Sequence, residues 1–394
     1  MTPNPNNFER DRLDSLVKLA LNTEKEKGLF TTAGGKEESL GTGPIGSRIT
    51  MGLDFEREQQ TGPRIPPYPE YNTRFVTSHQ QPCRTAKFSP DGKMVATGSL
   101  DTSIKLLDVS KMLAFSRVRE ADDNTQAKPV IRTFYDHVDR INDVDFHPTL
   151  PVLVSCSTDT TIKFYDYSTT VKRSFKFLQD THNIRSVQVH PSGEFILAGT
   201  QHPMLRIYDI NKERAYVTGD PKDNHMGPIN QARYSSDGKM YASASKDGSI
   251  KLWDGVTNKC IDTIAKAHEN LEVSSVQFSR NRRYLLTGGR DGSARLWDVA
   301  TRKQLSKILF GQYGQPLHNR LQVCFNWNED FILAADEMSN CAVAWNTRTS
   351  EHVQRLQGHT QLVRWICASP VDPYCITCSD DNRARFWVEE ANAL

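Results

Sequence analysis

The chain has 394 residues, 37% of them hydrophobic and 24% charged, which is enough apolar mass for one large body plus an extension. A formal net charge of +2 is too small for bulk affinity for nucleic acid, so any basic surface must be local. Eight scattered cysteines without a secretion signal point to free thiols in a reducing compartment, and no run of eighteen or more apolar residues is present to span a membrane.

From the N-terminus, Leu13, Leu16, Val17, Ala20 and Leu21 fall at helical spacing among charged residues, which predicts a short amphipathic helix over Phe8–Leu21, within residues 1–21. A helix this short is marginal alone, so it either packs on the body that follows or docks a partner. Residues 22–70 turn to Gly, Thr, Pro and charge, as in GTGPIGSR and GPRIPPYPE, and read as a flexible linker. Strand formers resume at Thr73–Thr77, and residues 71–394 form the main body.

One phrase organises that body. In KMYASASKDGSIKLWD, Lys239–Asp254, alternation at period two marks two strands, and Lys246-Asp247-Gly248 supplies the turn between them. The phrase returns as ATGSLDTSIKLLD, LVSCSTDTTIKFYD, LAGTQHPMLRIYD, LTGGRDGSARLWD, LAADEMSNCAVAWN and ITCSDDNRARFW, giving seven copies. Their spacing of roughly 40–45 residues is the period of a WD-repeat blade with four strands. The predicted fold is therefore all-β: a seven-bladed WD-repeat β-propeller with a short N-terminal helix and a flexible tether. The chain stops soon after Trp387, too early for a fourth strand in the last blade, so the strand at Thr73–Thr77 should close the ring by pairing there. Between the first two blades an insertion, Lys111–Lys128, exceeds a hairpin loop, and such loops are either functional or mobile.

Each copy has an upstream histidine in phase: His79, His137, His182, His225, His268, His318 and His359. In the best blades a hydrogen-bonded tetrad is expected from Trp253, Ser243, His225 and Asp247, from Trp297, Thr287, His268 and Asp291, and from Trp387, Thr377, His359 and Asp381. Ser, His and Asp together suggest a catalytic triad. Repetition argues against it, because an enzyme needs one activated nucleophile, whereas a trio present in several blades is explained by buried polar groups satisfying one another. No catalytic, cofactor-binding or metal site is expected. Cys375 and Cys378 would sit on opposite faces of a strand with no second pair in register, so zinc is not expected either. The third and sixth blades lose the pattern, with Ala198 and Ala334 in place of Ser/Thr, and His202 and Ser339 in place of Asp; they need other packing.

Two surfaces carry local charge. Counting back from the landmark of each innermost strand places Arg84, Asn142, Arg185, Asn230, Ser274, Leu321 and Arg364 on one rim. Beside them fall the residues before each turn: Leu100, Thr158, Gln201, Lys246, Arg290, Met338 and Asp380. Five of these are cationic (Arg84, Arg185, Lys246, Arg290 and Arg364), which makes either a positive face for an acidic or phosphorylated peptide or a solvated rim with no partner. The second surface, Lys172, Arg173 and Lys176 interleaved with Phe175 and Phe177, is read as a half-buried outer strand with its aromatics to one side, rather than a single-strand nucleic-acid site.

The residues between the repeat signatures carry a resemblance. PVIRTFYDHVDRINDVDFHP, KRSFKFLQDTHNIRSVQVHPSGEFILAGTQHPMLRIYDIN, ASKDGSIKLWDGVTNKC and CSDDNRARFW closely resemble the WD-repeat subunit, of about fifty kilodaltons, of the cleavage stimulation factor. The similarity runs from about Arg12 to Trp387 and includes the segment RDRLDSLVKLALN. It implies a nuclear, non-catalytic scaffold in cleavage and polyadenylation of pre-mRNA, joined to the bridging subunit that carries the RNA-recognition subunit. It also implies a link to the tail of RNA polymerase II and only indirect contact with RNA. Family members place a helical homodimerisation domain upstream of the segment resembling Arg12–Asn22, where this chain has few residues, so homodimerisation is not carried over as an expectation. A different class, the WD-repeat substrate receptor of a cullin-type ubiquitin ligase, would need a Trp-Asp-x-Arg box; Trp345-Asn346-Thr347-Arg348 comes nearest, with Asn for Asp.

Overall fold

The computed structural model describes residues 53–55, 68–115, 128–310 and 316–391. The expected helix over Phe8–Leu21, most of the expected linker and most of the Lys111–Lys128 insertion lie outside them. The described chain folds as seven four-stranded antiparallel sheets. Each blade takes its strands in chain order from the central channel outwards, and the innermost strands are Cys83–Phe88, Ile141–Phe146, Ile184–Val189, Ile229–Tyr234, Val273–Phe278, Val323–Phe325 and Val363–Ala368.

The seventh blade breaks chain order. Its outermost strand is Pro69–Ser78, from the start of the described body, paired along its length with Arg383–Ala391, with Tyr71 opposite Glu389 and Thr77 opposite Ala384. Joining the two ends of the body in one sheet leaves no blade short of a strand and no open edge at the seam. The closing strand is longer than the Thr73–Thr77 stretch that alternation marks.

The core lies between blades, where apolar faces of neighbouring sheets meet. Spacing is set by small residues in the second strands: a Cβ added to Gly98 would come within 2.6 Å of Ile141, and one added to Gly288 within 3.0 Å of Val323, both on the next blade's innermost strand. The turn between second and third strands demands a left-handed residue after the Asp. Gly248 and Gly292 supply it with φ of 81° and 71°, whereas Thr102, Thr160 and Asn382 hold φ of 66°, 68° and 66° against their side-chain sterics.

Two features depart from the sequence-based expectation. Leu53, inside the expected linker, is fully buried: its N–H donates to Glu329 Oε2 at 3.2 Å, its carbonyl accepts from Asn281 Nδ2 at 2.6 Å, and Phe55 packs edge-on to Tyr284. Part of that stretch is thus anchored between the fifth and sixth blades. The start of the insertion is also ordered, as a short helix Val109–Ala114 capped by Asp108, with Met112 buried.

Candidate functional site

The tetrads come together as hydrogen-bonded chains. In the fourth blade Trp253 Nε1–H donates to Ser243 Oγ at 2.8 Å, His225 Nε2 lies 2.6 Å from the same oxygen, and His225 Nδ1 lies 3.2 Å from Asp247. In the fifth blade Trp297, Thr287, His268 and Asp291 repeat this at 2.9, 2.9 and 2.8 Å, and in the seventh Trp387, Thr377, His359 and Asp381 do so at 2.9, 2.8 and 2.8 Å. The Asp fixes the tautomer: Nδ1–H faces the carboxylate, so Nε2 accepts from the hydroxyl. Ser243, Thr287 and Thr377 have no exposed surface, and each hydroxyl oxygen already accepts an indole N–H. A substrate carbonyl has no access to these oxygens, so the arrangement supports folding rather than acyl transfer.

The first two blades keep the inner part of the network, with His79 on Thr97 and His137 on Ser155 and Asp159, while Leu107 and Tyr165 stand where the tryptophan would be. The third blade substitutes another solution. Its buried Asp180 accepts from Tyr208 and pairs with Arg206 at 3.0 Å, and His182 packs at a tilt against His202 rather than entering a tetrad. In the sixth blade the carboxylate facing the preceding loop is Glu337, which accepts from the backbone N–H of His318 at 2.9 Å and from Asn319, and the His318 ring is left at the surface. Ser339, the residue expected to replace the Asp, instead donates to Asp336.

The outer strand Lys176–Gln179 is half-buried, as expected, and shows which face is inward. Lys176 and Leu178 point inward and Phe177 is 58% exposed. Lys176 Nζ donates to the carbonyl of Ile210 at 2.8 Å and pairs with Glu213 at 2.9 Å, so its aliphatic stem and charge are both accommodated by the next blade.

The rim residues have a common structural origin. In six blades the pairing of the first two strands slips at one position, and the residues left out of register are Arg84, Asn142, Arg185, Asn230, Ser274 and Arg364. A bulge at the top of each innermost strand re-aims that side chain, here into the mouth of the channel. All six line one recess of about 390 Å³, joined by Arg140, Arg290, Arg320 and Glu272. Lys246, expected on this rim, stays exposed on its turn and does not line the recess. Arg140, Arg320 and Glu272 were not among the expected positions because they belong to the loops and strand starts beside the bulges rather than to the bulges themselves.

Six guanidiniums therefore stand beside two carboxylates, which pair with only some of them. Asp380 takes Arg364 at 2.7 Å and Arg84 at 3.4 Å, and Glu272 takes Arg290 at 3.3 Å. Asn230 uses its amide N–H groups on Glu272 and the Val273 carbonyl, which turns its oxygen toward Arg185 at 2.7 Å and Arg320 at 2.8 Å. Arg320 reaches that oxygen from two blades away, since it precedes the sixth blade and Asn230 belongs to the fourth. Burial together with the neighbouring Arg320 and Arg140 pushes Arg185 down to about 10, and Arg84 and Arg320 are lowered for the same two reasons, burial first and like charge second. Arg320 feels the recess walls although 45% of its side chain remains exposed through the open mouth. Below the mouth the channel is crossed by Gln231 on Gln322 at 2.9 Å and by Arg233 on Asp143 at 2.8 Å. The recess is accordingly a cup with a polar floor.

Residues 71–108, 128–166, 222–254, 258–298 and 350–388 match the family of the WD domain, G-beta repeat, skipping the third blade and most of the sixth, where the tetrad is lost. The chain is 28% identical over 210 residues to pre-mRNA-processing factor 19 of Oryza sativa subsp. japonica, covering 53% of this chain and 37% of that one. It is 26% identical over 211 residues to the human serine-threonine kinase receptor-associated protein, covering 47% and 58%. Against cleavage stimulation factor subunit 50 of Arabidopsis thaliana the identity is 40% over 392 residues, 99% of this chain and 89% of the relative. An alignment that runs through the seven blades and the eroded ones alike, at that identity, places the chain in the family of cleavage stimulation factor subunit 50.

Proposed function

We propose that the chain is a non-catalytic scaffold in mRNA 3′-end cleavage and polyadenylation, working in the nucleus through protein–protein contacts with the other cleavage stimulation factor subunits, chiefly the bridging one. The observation that carries this reading is the contrast between two polar sets. The hydroxyl–imidazole–carboxylate groups are repeated and sealed inside the blades, while the arginines of the bulges are gathered at an open mouth. A face of that kind recruits an acidic or phosphorylated segment and has no positioned nucleophile or base with which to turn over a substrate. Family membership supports the process, since a cleavage stimulation factor subunit is by its name part of an assembly; on this reading RNA is reached through other subunits. The tail of RNA polymerase II is a further partner on this reading.

Affinity purification of the tagged full chain from nuclear extract tests it. Recovery of cleavage and polyadenylation subunits is expected, and recovery of a cullin adaptor in their place would overturn it. The ligase reading is disfavoured by the site itself, because Asn346 is buried and Arg348 is paired with Asp330 at 2.7 Å with 9% of its side chain exposed. The box is not presented to an adaptor.

A further inference from the structure

We propose that the channel mouth is a phosphate-binding cup, in which Arg140, Arg185 and Arg320 receive the phosphoryl group of a phosphorylated serine or threonine on a partner segment. The inference rests on the scaffold reading above and specifies what one of its surfaces recognises.

The charge is unevenly balanced around the ring. Arg84 and Arg364 share Asp380, and Arg290 has Glu272. Arg140 and Arg185 have no carboxylate in ion-pair contact among the described residues; Arg140 bonds Thr158 Oγ1 at 2.9 Å and Arg185 bonds a neutral amide. Arg320 reaches Glu272 only at 3.9 Å. Two guanidiniums from opposite sides of the channel thus converge on the single neutral oxygen of Asn230, a geometry in which an anion's oxygen would gain two charge-assisted bonds.

A second, independent feature points the same way. Ser274, the bulge residue of the fifth blade, is 9% exposed and lines the cup, and its Oγ has no hydrogen-bond partner within the protein. A buried hydroxyl of that kind costs free energy unless a ligand atom meets it.

The shape selects the ligand. The crossing contacts of Gln231 with Gln322 and of Arg233 with Asp143 close the channel beneath, so about 390 Å³ is open to a side chain entering end-on and not to a polymer passing through. Three guanidiniums from the second, third and sixth blades approach from separate directions, which suits the three oxygens of a dianionic phosphate better than the two of a planar carboxylate. Single-stranded RNA is disfavoured because its binding relies on stacking platforms along a groove. Trp365 and His318 are the aromatic rings lining the cup among the described residues; the Trp365 Nε1–H is already held by the carbonyl of Ala86 at 2.9 Å, and two separate rings do not make a platform for successive bases. The mutual repulsion and lost hydration that lower Arg185, Arg84 and Arg320 are relieved by an anion of this charge.

The test uses the folded full chain and fluorescence polarisation with degenerate peptide pools centred on phosphoserine or phosphothreonine, the same pools with Ser, Thr or Glu, and a mixed-sequence single-stranded RNA. The phosphorylated pools should bind, inorganic phosphate should compete, and the Glu pool should bind about tenfold more weakly. The double variant Arg185→Gln/Arg320→Gln should lose about tenfold or more in affinity with a near-native melting curve, whereas Arg214→Gln, exposed on an outer strand, should bind as wild type. The single exposed variant Arg140→Gln gives the same readout should the double variant fold poorly. Equal binding of the unphosphorylated pools, insensitivity to the arginine variants, or displacement of phosphopeptide by RNA at equal phosphate concentration would each overturn the proposal. Co-purification keeps the two readings apart: a double variant that loses phosphopeptide but still recovers the cleavage subunits supports the cup and moves the scaffold contact elsewhere. Wild-type chain that recovers the subunits but binds no phosphopeptide refutes the cup alone.

Discussion

Replacing Asp247 with Ala is the sharpest probe of the tetrads. Its Oδ2 accepts from Met226 N–H at 2.8 Å and lies 3.2 Å from His225 Nδ1, and its Oδ1 accepts from Ser249 N–H at 2.8 Å and Ser249 O–H at 2.6 Å. One carboxylate therefore ties the loop before the blade, the histidine and the turn between strands. Bonds to a charged acceptor are worth about 1.5–3 kcal/mol each, but the four share one group that is 14% exposed, so water replaces part of what is lost. The expected total is about 2–4 kcal/mol, or a fall in melting temperature of about 3–6 °C for a body of this size. Lys246→Ala, at the adjacent exposed position, should change stability by no more than about 0.5 kcal/mol.

Scanning calorimetry or fluorimetry reads the shift, and Ser243→Ala adds a discriminating arm. That variant removes the oxygen that accepts the Trp253 indole and contacts His225, so it should also lower the melting point, and on the scaffold reading it should abolish no hydrolytic activity. A melting point unmoved by Asp247→Ala, or an esterase activity abolished by Ser243→Ala, would refute the reasoning.

Three further outcomes are expected. Deleting Met1–Leu29 should leave a cooperative melt, whereas deletion through Thr77 removes most of the strand paired with Arg383–Ala391 and should abolish it; a sharp transition in the longer deletion contradicts the closure. Burial holds His225 and His268 below their usual range despite their Asp partners, so their stabilisation is complete above about pH 6.5 and is lost as pH falls through the lowered values; His79, held up to about 9 because Asp101 and Cys83 outweigh burial, contributes fully below about pH 6.5 and loses that contribution as pH rises through 9. Melting temperature against pH should thus decline on both sides, and a His79→Gln variant that keeps the alkaline decline unchanged would count against the assignment. Leu53→Asp should release the anchor on the fifth and sixth blades, seen as faster proteolysis at residues 53–55 with little change in the main melt, because undocking these residues need not unfold the ring.

What the sequence made legible followed from repetition. Seven phased copies fixed the blades, and the missing fourth strand of the last one implied the closing strand, because an open edge is costly wherever it falls. Arg84, Arg185 and Arg364 could be found by counting since the bulge recurs at one distance from each landmark. Arg140, Arg320 and Glu272 could not, because the connections that carry Arg140 and Arg320 vary in length and Glu272 precedes its strand by a single residue with no landmark of its own. Leu53 was hidden for another reason: one apolar residue in a Gly- and Pro-rich stretch has no periodicity, and its burial depends on partners in distant blades. The inward face of the Lys176–Gln179 strand was not legible because alternation gives two faces without saying which is inward, and here a neighbouring carbonyl and Glu213 favoured the lysine.

The bulge ring also explains why a repeat fold can hold a specific site. Residues in the tetrads and between blades answer to packing on both sides, so the copies are held close to one pattern: His, Ser or Thr, and Asp recur in blades one, two, four, five and seven. A bulge residue is excused from the ladder and faces the channel, where only its neighbours around the ring constrain it. In this chain those positions have become Arg, Asn, Arg, Asn, Ser and Arg, and the two asparagines brace the next blade through the carbonyls of Ile184 and Val273 while the arginines are left to face outward. On the proposed reading, structural and recognition roles are thereby divided within one ring of equivalent positions. The positive mouth follows in part from that division: the fold supplies convergence at no cost to its core, three of the six bulge side chains supply charge, and Arg140, Arg290 and Arg320 beside the bulges supply the rest.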